Sequence, residues 1–343
     1  MSLIGSTIDI VERLPLPDAV LRAGVDYLVN RTREQLRTAP DEATEAFAQD
    51  MAQYPIAIHA REANTQHYEV PARFFERVLG PRRKYSCCYY ETPETTLAEA
   101  EMRALEETAL HAALSDGQEI LELGCGWGSL SLFMAGQYPA SRITSVSNSA
   151  SQRVFIETQA AQRGLTNLKV ITADMNDFAA ERRFDRIVSV EMFEHMSNWR
   201  LLLARLREWL LGDGRVFIHI FAHRARPYRF DHTDKSDWIA QHFFTGGIMP
   251  SRQLMHGFPD LFEVEAEWAW NGSHYQRTAR DWLRNFDARR PEVDAVLRDT
   301  YGDDAALWAR RWRLFFLATE GLFGNDLGRE WGVMHYRLKP PTA

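Results

Sequence analysis

An alternation of strand-like and helix-like segments between residues 119 and 223 limits this chain more than any other feature. EILELG (119–124), SRITSVSNS (141–149), LKVITADM (168–175), RRFDRIVSVEMF (182–193) and RVFIHIFAH (215–223) read as strands. Between them GSLSLFMAGQYP, SASQRVFIETQAAQRG and SNWRLLLARLREWLLGDG read as helices, the last ending at Gly212–Gly214. Such alternation predicts an α/β fold, a parallel sheet with helices on both faces. The strands are continuous Ile/Val/Leu runs, as expected where both sheet faces are buried.

Outside this block, residues 17–38 and 95–115 carry apolar residues at helical spacing, and Thr38–Thr44 reads as a turn. Residues 64–91 read as irregular, aromatic and Pro-punctuated. Beyond His223 an aromatic, polar stretch runs to Pro250, followed by the strand FEVEAEWAW (262–270), a Trp-rich helical insertion over 275–325 and a last strand WGVMHYRLK (331–339).

Composition excludes several function classes. Net charge is −7 and no Lys/Arg block appears, so the basic footprint of a nucleic-acid binder is missing. Cys87, Cys88 and Cys125 form neither a CxxC pair nor a disulfide ladder, which disfavours a metal site and fits a reducing, cytoplasmic setting. No run approaches the ~18 uncharged apolar residues of a membrane span. Contact with a membrane surface by an amphipathic helix at 17–38 stays open.

The first strand runs into Gly124, Gly126 and Gly128, spaced by two, just after Glu122. A strand, a glycine-rich turn and a helix N-terminus bring backbone N–H groups against a ligand with no Cβ in the way. A dinucleotide fingerprint needs G-x-G-x-x-G and an acid ending the next strand. Here Ser129 stands at the third glycine's place and the next strand ends in Ser147–Asn148–Ser149, which disfavours a nicotinamide cofactor. A second dense segment, SVEMFEHM (189–196), sets Glu191, Glu194 and His195 at the end of a buried strand, the edge where doubly wound sheets bind ligands. The alternative for these three groups is a helix-capping cluster.

The E-x-G-x-G-x-G string resembles the first motif of class I S-adenosylmethionine-dependent methyltransferases. QHYEVPARFF, KYSCCYYE, LELGCGWGS, VSNSASQ, SVEMFEHM, VFIHIF, FFTGGIMPS, SHYQRTARDWL and LFGNDLGREW, in this order, resemble the cyclopropane fatty acid synthase superfamily, most of all its coclaurine N-methyltransferase branch. The resemblance implies a Rossmann-like, doubly wound core (92–223), a helical N-terminal segment covering the site (1–91), and C-terminal insertions that cap the substrate and return the final strands (224–343).

It also implies S-adenosylmethionine held by Tyr85, Ser86, Glu122, Gly124, Gly126, Gly128, Asn148, Gln152, Asp174 and Met175. No acid ends the second strand, so Asn148 or Gln152 would serve the ribose; otherwise these two are a helix cap and a surface residue. In the lipid enzymes of this superfamily a bicarbonate deprotonates the carbocation left by methyl transfer. Its pocket matches Cys87 (through its backbone), Glu194, His219 and Tyr275. Two positions depart from those enzymes: Glu191 stands where they carry Gly, and Thr319 where they carry Cys.

A further carboxylate beside a bicarbonate site repels the anion by about 4 kcal/mol at ~4 Å and an effective dielectric of ~20. Beside an amine that becomes cationic on methylation, the sign reverses. The expectation is therefore methyl transfer to a small aromatic or cyclic amine, with Glu191, Glu194, His195, His219 and Tyr275 as the catalytic set and His195 or Glu194 as base. The alternative is methyl or methylene transfer to an unsaturated acyl lipid, with bicarbonate. Cys87, Tyr89, Trp238, Phe243 and Phe244 are the candidate substrate or anion pocket, with Tyr90 and Trp268 as further aromatic walls. A monomer or homodimer without a nucleic-acid partner is expected.

Overall fold

The computed structural model describes residues 11–38, 43–58 and 70–341. Residues 39–42 of the expected turn and 64–69 of the expected irregular segment lie outside them. The N-terminal part holds α1 (Asp18–Arg37), α2 (Ala43–Asp50), α3 (Ala72–Val78) and α4 (Leu97–His111). The alternating part follows as β1 (Glu119–Leu123), α5 (Ser129–Gln137), β2 (Arg142–Ser147), α6 (Ala150–Gln162), β3 (Leu168–Thr172), β4 (Phe184–Val190), α7 (Trp199–Trp209) and β5 (Leu210–His223). A small ribbon, β6 (Tyr228–Arg229) with β7 (Ile248–Met249), encloses the short α8 (Trp238–His242). The chain closes with β8 (Glu263–Trp270), α9 (Ser273–Ala288), α10 (Arg290–Tyr301), α11 (Ala305–Gly324) and β9 (Trp331–Lys339).

Seven strands form one sheet in the order β3-β2-β1-β4-β5-β9-β8. The first five are parallel; β9 runs antiparallel to both β5 and β8, so the sheet is mixed rather than wholly parallel. The chain leaves β1 towards β2 on one side and returns to β4 on the other. This reversal opens a crevice at the carboxyl ends of β1 and β4, which is where such sheets bind ligands.

Local sequence explains the elements that frame this crevice. α4 starts at Thr96, whose hydroxyl accepts from Glu99 N (3.3 Å) while Glu99 Oε2 accepts from Thr96 N (2.8 Å), a reciprocal capping box. α7 presents Trp199, Leu202, Leu203, Leu206 and Trp209 to the sheet, an apolar stripe at helical spacing. Burying each contributes about 1.5–3 kcal/mol, and Leu206→Ala would cost about 2–5 kcal/mol through the cavity it leaves.

Two boundaries differ from the sequence expectation. α7 ends at Trp209 because Leu210 is already extended and pairs with Phe184 of β4, so LLGDG belongs to the sheet. The stretch expected to be irregular contains α3, which begins after Pro71 and buries Phe74, Phe75 and Val78. The predicted insertion over 275–325 is the helical group α9–α11. Together with α1 and α3 it packs an aromatic core that includes Trp282, Phe286, Trp312 and Phe316, over the crevice side of β5 and β9. Among the described residues no helix is long and apolar enough to cross a membrane.

Candidate active site

The loop after β1 forms the floor of the crevice. Gly124, Gly126 and Gly128 all have positive φ (78°, 51° and 78°), the left-handed region that glycine enters without strain. Their surroundings differ. A Cβ on Gly124 would stand 2.7 Å from Met192 Cβ, whereas one on Gly126 would meet nothing within 4 Å, so Gly126 faces the open crevice. Gly124 secures packing of the loop against the β4 end; Gly126 leaves room for a ligand.

Two adjoining hollows share Gly124, Gly126, Gln152, Glu191 and His195. One is further lined by Ser147, Asn148, Asp174 and Met175, and the other by Tyr85, Ser86, Glu122, Phe244 and Tyr275. Three buried polar atoms in their walls, Gln152 Nε2, Ser129 Oγ and Trp127 Nε1, have no hydrogen-bond partner among the described residues. Orphaned donors at a glycine-loop floor are costly unless a polar ligand completes them, so the cradle fits a cofactor. Gln152 is 1% exposed and the cap of α6 is Ser149, which removes the reading of Gln152 as a surface residue and of Asn148 as the cap. Glu122 accepts from Ser145 Oγ (2.8 Å) and from Ser131 Oγ. Burial pushes its carboxyl up to about 7 against these two hydrogen bonds.

Glu191 occupies the centre. Its Oε1 accepts from Cys87 N (2.9 Å) and lies 3.2 Å from His219 Nε2; its Oε2 accepts from Tyr275 OH (2.7 Å). Cys87, His219 and Tyr275 are three of the four positions that the superfamily resemblance assigns to bicarbonate. Here Cys87 N and Tyr275 OH donate to a side-chain carboxylate instead, and His219 Nε2 faces it. The expected clash between Glu191 and an anion pocket is thus replaced by a simpler arrangement, in which Glu191 fills that pocket. Three of the groups that the resemblance assigns to bicarbonate are thus engaged by Glu191. Glu191 has φ +48°, in the left-handed region that disfavours a side chain.

The neighbouring ionisable groups are perturbed by burial. Glu194 is fully buried; its Oε1 accepts from Phe221 N (2.7 Å) and its Oε2 has no partner among the described residues. Burial, then the charge of Glu191, holds its carboxyl well above the usual range, so it keeps its own proton. Burial also raises Glu191, opposed most strongly by the positive charge of Lys84 and then by the Cys87 and Tyr275 hydrogen bonds. Lys84 and these hydrogen bonds favour the ionised form of Glu191 over that of Glu194. Burial pushes His195 down to about 4, leaving a neutral imidazole stacked on Phe244 (centroids 5.0 Å, 6° apart). The Cys87 thiol, buried and pushed up, contributes its backbone alone.

The aromatic walls are redistributed relative to expectation. Phe244 lines the crevice together with Phe221, Phe315, Tyr85 and Tyr275. Tyr89, Trp238 and Phe243 do not line it. Tyr89 stacks on His274 (4.4 Å), Trp238 donates from Nε1 to Glu12 (3.0 Å), and Phe243 stacks on Phe315 (4.5 Å) in the helical core. Tyr90 donates to Asp281, Trp268 stacks on His111, and Thr319 bonds back to Phe315 O within α11. Sequence reasoning missed Lys84, which is 3% exposed and donates from Nζ to Ser86 Oγ (2.5 Å) and Cys87 O (2.6 Å). Its place in PRRKY reads as a surface charge run, and only burial distinguishes it.

Comparison with known proteins agrees with this geometry. The model of the mycolic acid cyclopropane synthetase family matches residues 57–327. The chain belongs to that family. Within it, the chain is 36% identical over 294 residues to (S)-coclaurine N-methyltransferase of Thalictrum flavum subsp. glaucum, covering 84% of this chain and 81% of the relative. Cyclopropane-fatty-acyl-phospholipid synthase of Escherichia coli K12 is 31% identical over 231 residues, 66% of this chain and 57% of that relative. A crystal structure of coclaurine N-methyltransferase bound to N-methylheliamine and S-adenosylhomocysteine superposes with a TM-score of 0.91, at 31% identity, covering 94% of this chain and 96% of that one. A cyclopropane synthase of Mycobacterium tuberculosis shares the fold at 22% identity (TM-score 0.71, covering 82% and 98%). This family member is an S-adenosylmethionine-dependent methyltransferase with the class I Rossmann-like fold, and S-adenosylmethionine is its cofactor.

Proposed function

We infer that the chain transfers a methyl group to the nitrogen of a small aromatic or cyclic amine; its relatives are named as N-methyltransferases. The single observation that carries this reading is the Glu191 carboxylate held by Cys87 N, His219 and Tyr275. In lipid cyclopropanation that place is left to an external anion; here a fixed negative charge stands beside the crevice.

The cofactor supplies an electrophilic methyl on a sulfonium. The remaining work falls to the chain's own side chains. Phe221, Phe244, Phe315 and Tyr275 form an apolar wall that orients a flat amine and excludes water. A carboxylate offers about four lone-pair sites; Glu191 accepts from Cys87 N and Tyr275 OH and faces His219, which leaves one to accept a proton from the bound ammonium. Once Glu191 has passed that proton on, with His219 Nε2 3.2 Å away, the freed amine lone pair can attack and the regained carboxylate stabilises the cationic nitrogen that forms. Glu194, whose carboxyl burial holds well above the usual range, is less suited than Glu191 to act as the base. His195, neutral and stacked on Phe244, positions the amine and offers a hydrogen-bonding nitrogen. The three cysteines are buried free thiols, which supports a reducing, cytoplasmic setting.

Incubation with methyl-labelled S-adenosylmethionine and a panel of tetrahydroisoquinoline-type amines and unsaturated phospholipids tests the reading. Label should enter amines; label entering phospholipid alone would overturn it.

A further inference from the structure

Glu191 is buried under the cap, yet methylating an amine that arrives as an ammonium releases one proton per turnover. Where that proton goes is answered by side chains far from the crevice. His219 Nδ1 lies 2.8 Å from His335 Nε2, and His335 Nδ1 lies 2.8 Å from His111 Nδ1. His111 Nε2 in turn lies 3.2 Å from the Glu107 carboxylate, whose side chain is 13% exposed. With the 3.2 Å contact between Glu191 and His219, four consecutive hydrogen-bonding distances join the catalytic carboxylate to the protein surface.

The fold builds this line deliberately across the strands. His219 of β5 and His335 of β9 are register partners, so their rings meet on one sheet face. α4 lies over that face and ends at His111, whose ring is held flat against Trp268 of β8 (3.8 Å, 7°). Three histidines with both ring nitrogens engaged are more than packing requires. Each neutral imidazole carries one N–H and one lone pair, so a single file of them has two ordered states that differ by one transferred proton.

We propose that Glu191–His219–His335–His111–Glu107 is a proton exit path for the methyl transfer, a reading that rests on the amine function above. The substrate N–H bond breaks as an O–H bond forms on Glu191. That proton passes to His219 Nε2 while His219 Nδ1–H passes to His335 Nε2. In the same sense His335 Nδ1–H passes to His111 Nδ1, and His111 Nε2–H to Glu107, which gives it to water. One proton enters, one leaves, and no redox partner is needed. Each passage leaves the rings in the opposite tautomers, and they regain the starting ones by exchanging ring N–H protons with water, one lost and one gained per ring, before the next turnover. The charged groups around the line suit the task. Burial, with Lys84 near His219 and His335 and Arg337 near His111, keeps all three rings neutral between transfers, His111 being pushed down to about 4. At the outer end Arg103 pairs with Glu107 (2.6 Å).

The test uses His335→Gln and the more peripheral His111→Gln, since an amide keeps hydrogen bonds but does not relay protons. Each is assayed near neutral pH with two cyclic amines of similar shape. One has a pKa well above the assay pH and arrives as an ammonium; the other, an aniline-like amine, arrives neutral and has no proton to shed before attack. Both variants should lose roughly ten- to hundredfold in kcat with the first amine, within the range of general acid–base effects. With the second they should stay within about twofold of the unmodified chain, and S-adenosylmethionine affinity and melting temperature serve as folding controls. Equal losses with both amines, or no loss with the first, would overturn the relay. Failure of the unmodified chain to methylate either amine would instead overturn the amine reading, and the relay with it.

Discussion

Replacing Glu191 by Gln removes a charge while sparing the scaffold. The amide oxygen can still accept from Cys87 N and face His219, and Tyr275 can turn its hydroxyl to accept from the new NH2. A carboxylate about 4 Å from a unit positive charge lowers its free energy by about 4 kcal/mol at an effective dielectric near 20. If half the charge has reached nitrogen in the transition state, the loss is about 2 kcal/mol, or roughly 30-fold in rate. Losing the base as well, worth about 10²–10⁴-fold, places the expected fall in kcat at ~10³-fold or more. S-adenosylhomocysteine formation gives kcat, and titration calorimetry gives cofactor affinity, which should change by less than about threefold. A kcat within about threefold of the unmodified chain would refute the reasoning. Parallel losses of turnover and affinity would show damage to the site as a whole.

Other outcomes follow from the same geometry. Gly126→Val should weaken S-adenosylmethionine binding by tenfold or more, because a side chain would enter the open crevice from a φ of +51° that costs about 1–3 kcal/mol for a non-glycine residue; calorimetry showing unchanged affinity would contradict the loop assignment. Glu122, held near 7 against an ordinary value of 4.5, stays protonated in the folded chain while the unfolded chain ionises. It therefore lowers stability as pH rises through that window, by about 3 kcal/mol, and denaturant titrations should find Glu122→Gln flatter there. Because Glu191 is raised by burial, kcat should fall on the acid side as pH drops through its elevated pKa, and this limb should vanish in Glu191→Gln. Phe244→Ala should raise KM for an aromatic amine several-fold by unstacking His195, and an unchanged KM would remove Phe244 from the substrate wall.

How much of this was legible in the sequence depends on whether the signal was local. The glycine loop and SVEMFEHM each carry their chemistry within eight residues, and the alternation fixes which sheet edge they reach. The direction of β9 was not legible, because an antiparallel last strand and a parallel one have the same apolar run. Tyr89, Trp238 and Phe243 were misplaced for a similar reason: an aromatic ring in a core and one in a pocket look alike until their neighbours are known. Gln152 was ambiguous until burial showed its amide nitrogen orphaned. The alignment of His219, His335 and His111 depends on strand register and on α4 lying over the sheet, which no spacing along the chain encodes. The Glu191 position was the reverse case. In the sequence its charge is hostile to an anion pocket; in the structure the carboxylate itself meets Cys87 N, His219 and Tyr275.

That substitution of a side chain for an anion is the central claim, and Glu191→Gly tests it most directly. Glycine suits the left-handed backbone at this position and vacates the donors of Cys87, His219 and Tyr275. Amine turnover by the variant should be nearly abolished and partly restored by added formate or bicarbonate, while the unmodified chain is indifferent to either. A bicarbonate requirement in the unmodified chain, or full activity of the variant without any added anion, would contradict the account.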